Sequence, residues 1–249
     1  MDLPVNQIIC GDCLEVMPLL PDKSIDMILC DIPYGTTACK WDSIIPFEPL
    51  WEQYKRVIKE NGAIVLFGSQ PFTSVMVSSN IKGYKHHWIW KKNRGTGFQV
   101  AKYRPMMATE DIIAFTAKGE RINYYPQMIK LDKPYYSRNA SSSNGTNPLA
   151  NFNKGGKIKY EKYPLNILEF SKVPNPQHPT QKPVELCEYL IKTYTQPGEI
   201  VLDNCIGSGT TAIAALNTGR FFIGIEKEEK YVEIARKRIA EHMQQLSIV

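Results

Sequence analysis

The chain has 249 residues, of which 43% are hydrophobic and 22% charged, with a net charge of +5. That is the composition of an ordinary globular protein, long enough for one large domain or for one domain with a small insertion. No run of roughly 18 or more apolar residues occurs, so no membrane-spanning helix is expected. The first residues, Met1 to Cys13, include Asp2, Asn6 and Asp12 and lack a basic start followed by a long apolar run. They do not read as a signal peptide, so the expected location is the cytoplasm. The six cysteines, Cys10, Cys13, Cys30, Cys39, Cys187 and Cys205, are scattered and read as reduced thiols. Cys10 and Cys13 form a C-x-x-C without a second pair at similar spacing, so no metal site is expected.

In chain order, Ile8 to Cys10 is a short apolar run entering a turn at Gly11-Asp12, so a buried strand is expected there. Leu14 to Leu20 reads as a short helix stopped by Pro21. Ile25 to Cys30 is a second buried strand, running into Asp31-Ile32-Pro33-Tyr34-Gly35. Pro49 to Glu60 has helical spacing, with Leu50, Tyr54, Val57 and Ile58 on one side. Asn61-Gly62 then turns the chain into a strand over Ala63 to Phe67. Pro71 to Ser79 is a helix, and Tyr84 to Lys91 and Asp111 to Ala117 are strands.

From Lys118 to Gln177 the periodicity dissolves. Ser137 to Gly156 is rich in Ser, Asn and Gly and reads as an irregular loop. Between Lys118 and Lys172 ten Lys or Arg stand against four acids, more than the whole net charge of the chain. Aromatics, among them Tyr124, Tyr135 and Tyr160, interleave with them. A basic insert on a near-neutral body points to a polyanionic partner, with a merely solvated loop as the alternative.

Regular structure resumes with a helix over Val184 to Tyr194, a strand over Ile200 to Asp203 and a helix over Thr210 to Thr218. A strand over Phe221 to Ile225 and a last helix from about Glu228 to Gln244 follow. Seven strand candidates alternating with helices predict an α/β fold with a mostly parallel sheet covered on both faces. Ligands bind such sheets at the carboxyl ends of the strands, where Asp12, Asp31, Asp203 and Glu226 are expected to converge.

Two constellations carry chemistry. In Val201 to Thr211 a buried strand ends in Asp203, and a turn with Gly207 and Gly209 leads into a helix. Glycines there let a ligand approach the backbone, and Glu226 after the next strand suits ribose hydroxyls. Gly207-x-Gly209-x-x-Ala212 also fits the loose nicotinamide-binding fingerprint. Asp203 favours a different ligand, because a carboxylate repels a pyrophosphate but attracts a sulfonium amino acid. The second constellation is Asp31-Ile32-Pro33-Tyr34, an acid, a proline carbonyl and an aromatic ring directly after a buried strand.

The first block resembles the S-adenosyl-L-methionine motif of methyltransferases, and Asp31 to Tyr34 resembles the (Asp/Asn/Ser)-Pro-Pro-aromatic signature of amino-methyltransferases. Ile32 replaces the first proline of that signature. The catalytic motif precedes the basic insert and the cofactor motif follows it, an order that resembles the permuted β group of DNA amino-methyltransferases. Trp90 to Pro105 looks like the base-pocket region of that group, and His178 to Pro183 like the motif that closes over the methionine end.

The resemblance implies a circularly permuted Rossmann-like fold with a seven-stranded sheet. It divides the chain into a catalytic half over 1–117, a target-recognition insert over 118–177 and a cofactor half over 178–249. It implies cofactor contacts for Asp12, Cys13, Thr180, Lys182, Asp203, Cys205, Gly207, Gly209, Thr210, Thr211, Glu226 and Lys227. Asp12 would meet the adenine amine, and Lys182 and Thr180 the methionine carboxylate. Asp31 and the carbonyl near Pro33 would accept the N–H groups of the target amine while Tyr34 stacks on the extruded base. DNA would be the partner, held in part by Lys154, Lys157 and Lys159, with a homodimer and a restriction endonuclease left open as further partners. Asp at the first signature position points to the N6 amine of adenine. The alternatives are the N4 amine of cytosine, a nicotinamide oxidoreductase, and a DNA-binding module without turnover.

Overall fold

The computed structural model describes residues 3–35, 43–137 and 157–246. Its strands are β1 (Gln7–Cys10), β2 (Ile25–Cys30), β3 (Ile58–Gly68), β4 (Tyr84–Thr96), β5 (Met107–Phe115), β6 (Ile129–Ser137), β7 (Lys157–Lys162), β8 (Ile167–Phe170), β9 (Ile200–Asp203) and β10 (Phe221–Glu226). Its helices are α1 (Cys13–Val16), α2 (Phe47–Val57), α3 (Phe72–Ser79), α4 (Val184–Tyr194), α5 (Thr210–Asn217) and α6 (Glu229–Leu246). The chain divides into two compact units, Met1–Tyr125 with Asn166–Val249, and Pro126–Leu165.

The larger unit holds an eight-stranded sheet in the order β1-β10-β9-β2-β3-β5-β4-β8. The block from β1 to β3 is parallel throughout, β5 is antiparallel to both β3 and β4, and β8 is parallel to β4. Both faces are covered, so the central strands are apolar at successive positions, as in β2, where all six residues are buried. Their side chains alternate between two apolar layers. Met27 and Leu29 pack with Leu186, Leu190 and Ala215 from α4 and α5. Ile28 and Cys30 pack with Leu50, Trp51 and Tyr54 from α2 and Met76 from α3.

The sheet has one strand more than the seven expected. The addition, β8, lies in the stretch that reads as irregular. It is a four-residue edge strand in which Leu168 alone is buried, too little apolar alternation to register in sequence. Within Pro126–Leu165, β6 and β7 form a two-stranded antiparallel ribbon, also unexpected, since their lysines and tyrosines show no clear period. Most of the Ser/Asn/Gly-rich stretch, and Cys39, lie outside the described residues. Helix α2 stops at Val57 rather than running to Glu60, because Ile58 already pairs with Ile25 on β2. Asn61, at φ 60°, then takes the chain through an irregularity in β3 before Ala63 pairs with Met27.

Candidate active site

Strands β1, β10, β9 and β2 are adjacent and parallel, so their carboxyl ends leave the sheet on one edge. The register places Cys10 beside Glu226 and Gly224 beside Asp203. Asp12, Asp31, Asp203 and Glu226 therefore line one cleft, together with every other residue expected for the cofactor or the catalytic turn except Gly209. Gly209 precedes α5 at φ 83°, and a Cβ there would come within 3.1 Å of the Ala235 side chain. Its glycine is required by the left-handed backbone and by the close approach of α6, not by a place in the cleft wall.

At one end of the cleft, Asp12 caps α1 by accepting the Leu14 N–H at 2.9 Å, and its other oxygen pairs with Lys227 Nζ at 3.0 Å. The Leu14 bond, and next to it Lys227, holds the Asp12 carboxyl below its ordinary range. Glu226 accepts the N–H groups of Gly207 at 2.8 Å and Glu228 at 2.9 Å, one on each oxygen. The carboxylate keeps acceptor capacity for a further donor. Asp203 is buried, accepts the Cys205 N–H at 3.1 Å, and is pushed up to about 6 by burial. The loop after it is tied to α2 by Tyr54, whose hydroxyl donates to Asn204 Oδ1 at 2.6 Å. Cys13 and Cys205 are free thiols at the floor of this end, and Thr211 is buried in the same wall.

The other end is an ion-paired cluster. The Tyr34 hydroxyl donates to Asp31 Oδ1 at 2.6 Å and lies 3.2 Å from Glu110 Oε1. Lys182 Nζ donates to Asp31 Oδ2 and pairs with Glu110 Oε1 at 2.9 Å, while Lys92 Nζ pairs with Glu110 Oε2 at 2.7 Å. Burial pushes the Asp31 carboxyl up, against the pull of Lys182. Burial acts on Glu110 in the same way, but Lys182 and Lys92 outweigh it and hold that carboxyl down. Lys182 is buried too, and there Asp31 and Glu110 overcome desolvation and keep the ammonium charged. Lys182 thus pairs with Asp31 and Glu110, while the resemblance implies a contact with the cofactor carboxylate. An ammonium this buried needs anions, and two carboxylates lie within reach. The Thr180 hydroxyl lies 3.1 Å from His178 Nδ1, and its carbonyl 3.4 Å from Lys182 Nζ.

The Tyr34 ring stacks on Phe72 from α3, with centroids 4.9 Å apart and planes at 28°. Ile32, which stands where the signature has proline, is buried in the apolar layer against α2 and α3. Glu110 and Lys92 have no signal in sequence that marks them. They are charged residues within two strands, distant in sequence from Asp31, and the pairing of β4 with β5 sets them beside each other at the Asp31–Lys182 cluster. Of the lysines expected at DNA, Lys159 is exposed on β7 and Lys157 begins that strand, while Lys154 lies outside the described residues.

The family model described as DNA methylase, for the N6 and N4 enzymes, matches residues 25–237. The chain belongs to this N6/N4 DNA methylase family. It is 29% identical to the type II methyltransferase M.HpaI of Haemophilus parainfluenzae, over 94% of this chain and 74% of that protein. It is also 29% identical to the DNA adenine methyltransferase YhdJ of Escherichia coli K12, over 93% of this chain and 82% of that one. Among solved structures, the M1.HpyAVI–SAM complex superposes with a TM-score of 0.61 at 26% identity, covering 93% of this chain and 98% of that one. The cytosine-N4-specific PvuII DNA methyltransferase shares the fold, with a TM-score of 0.66 at 17% identity over 92% of this chain and 84% of that one.

The methyl donor is S-adenosylmethionine, as for the family. The cleft fits it in two respects. Buried Asp203 would gain a cationic partner, and the Thr210 hydroxyl, buried at the start of α5 in the cleft wall, has no hydrogen-bond partner among the described residues.

Proposed function

We propose that the protein methylates the N6 amine of adenine in DNA, at a base extruded from the duplex. The observation that carries this reading is the Asp31 carboxylate at the end of β2, held by Tyr34 and Lys182 in the wall of the cleft that also contains Asp203 and Glu226.

When bound, S-adenosylmethionine would supply an electrophilic methyl group whose leaving group is a neutral thioether. Asp12 and Glu226 address the adenosine, Glu226 through the ribose hydroxyls, and Asp203 and Thr210 the methionine end. Asp31 accepts one N–H of the target amine and the carbonyl near Pro33 the other. That pair of acceptors favours a pyramidal nitrogen with a localised lone pair and stabilises the positive charge that develops as the N–C bond forms. The proton lost by the nitrogen is held at the Asp31 carboxylate. Lys182, shared with Glu110, opposes the upward push of burial on Asp31 and so favours its acceptor form. Tyr34, braced on Phe72, borders the place of the base.

The identity of the acid and the adenine-specific relative support adenine over cytosine. The type II methyltransferase relative supports a role in a restriction–modification system. Nucleoside mass spectrometry of DNA treated with the protein and S-adenosylmethionine tests the choice of base. N6-methyladenine is the expected product, and N4-methylcytosine in its place overturns the assignment.

A further inference from the structure

Strand β4 runs in the direction of β3, and β5 returns antiparallel between them, so the β4–β5 connection leaves the sheet on the edge where Asp31 and Asp203 emerge. The stems are tied into the catalytic cluster. Lys92 on β4 pairs with Glu110 on β5 at 2.7 Å, and Glu110 shares Lys182 with Asp31. Beyond Lys92 the chain from Arg94 to Met107 contains Arg94, Lys102 and Arg104 and no acid, and all three cations are exposed. Within it Phe98 is 79% and Tyr103 88% exposed, with Met106 and Met107 also open to solvent. Two bare aromatic rings so close together on a solvent-facing surface call for a partner.

The segment is built rather than slack. Gly97 at φ 88° starts a 3-10 turn over Phe98–Val100, and the N–H groups of Tyr103 and Arg104 bond back to the Val100 carbonyl at 2.9 and 3.1 Å. The Thr96 hydroxyl donates to the Met107 carbonyl at 3.2 Å across the base, and Asn93 Oδ1 accepts the Lys172 N–H at 3.1 Å. The exposed rings are thus presented on a preformed tip, which lowers the ordering cost of docking.

We propose that residues 94–107 form a DNA-docking hairpin, in which Arg94, Lys102 and Arg104 hold phosphates flanking the target. Phe98 and Tyr103 enter the base stack and fill the space left when the target base moves to Asp31. This rests on the reading of Asp31 as the amine acceptor, and it deepens that reading by naming the surface that keeps the duplex open. Cations in a segment free of acids match a polyanion, and an exposed aromatic ring replaces the stacking energy that extrusion removes. The hairpin lies outside the Lys154–Lys157–Lys159 stretch, so the two surfaces are separable by mutation.

The test uses unmethylated plasmid DNA of mixed sequence and tritium-labelled S-adenosylmethionine. Phe98→Ala with Tyr103→Ala is expected to lower kcat at least about tenfold, with KM for DNA and cofactor affinity changed by less than about threefold, and Tyr103→Phe to retain activity. Arg94→Gln, Lys102→Gln and Arg104→Gln together are expected to raise KM for DNA at unchanged kcat. The triple variant should also reduce the slope of log affinity against log salt by about 0.9 for each phosphate it no longer neutralises. Unchanged kcat in the aromatic variant, or an unchanged salt slope in the triple variant, overturns the proposal while wild-type transfer leaves the Asp31 reading standing. Loss of self-association with an unchanged salt slope assigns the hairpin to a second copy of the chain and overturns it as well. A wild-type protein that transfers no methyl group to DNA removes both.

Discussion

Asp203 shows how a single residue trades stability for ligand recognition. Burial raises its carboxyl from an ordinary 3.8 to about 6, so near neutral pH the ligand-free protein carries a buried negative charge that lacks a cationic partner among the described residues. The native state binds this proton more readily than the unfolded chain does. Its contribution to stability is therefore fully present below 3.8 and is lost as pH rises through about 6. A shift of that size is worth about 3 kcal/mol. On the proposed cofactor contact, affinity should run the opposite way, since the ionised carboxylate is the form that attracts an ammonium and a sulfonium. Calorimetry should show wild-type affinity for S-adenosylmethionine falling as pH is lowered from 8 to 5, on the order of tenfold for a titration near 6. Asp203→Asn should melt higher than wild type at pH 8 but converge with it near pH 4, and should bind the cofactor weakly at every pH. A wild-type affinity flat across that range would remove Asp203 from the cofactor's charged end.

At the scale of elements, the site is made by four parallel strand ends and completed by the β4–β5 hairpin. The first part is legible in sequence. Apolar runs ending in Asp12, Asp31, Asp203 and Glu226 reveal both the strands and the acids that follow them, and a parallel sheet brings such ends together. The second part is not legible. Glu110 and Lys92 acquire meaning only from the register that sets Trp90 opposite Glu110, and nothing local to either residue encodes that pairing. Lys182 sits in a motif that suggests the cofactor carboxylate, and its pairs with Glu110 of β5 and with Asp31 after β2 carry no signal in that motif. Gly209 shows the reverse case. Its place in a glycine turn suggests a ligand, whereas its backbone angle and the closeness of Ala235 account for it.

For the molecule as a whole, charge is unevenly shared, with the excess of cations concentrated between Lys118 and Lys172. If that stretch carries DNA affinity, neutralising Lys154, Lys157 and Lys159 together weakens binding to all sequences. It should also lower the salt slope by about 0.9 per phosphate left without its cation, with methyl transfer at saturating DNA retained. A slope and affinity equal to wild type would make the stretch a solvated surface and leave the duplex to the hairpin at Arg94 to Met107. In the proposed account both surfaces serve a reaction that turns on one carboxylate. Labelled methyl transfer to unmethylated DNA, measured for wild type and Asp31→Ala beside calorimetry of S-adenosylmethionine binding, tests that carboxylate most directly. The variant is predicted to lose about a hundredfold or more in turnover, as for removal of a transition-state hydrogen-bond partner, with cofactor affinity within about threefold of wild type. Near-normal turnover in Asp31→Ala would contradict the assignment of Asp31 as the group that accepts the target amine.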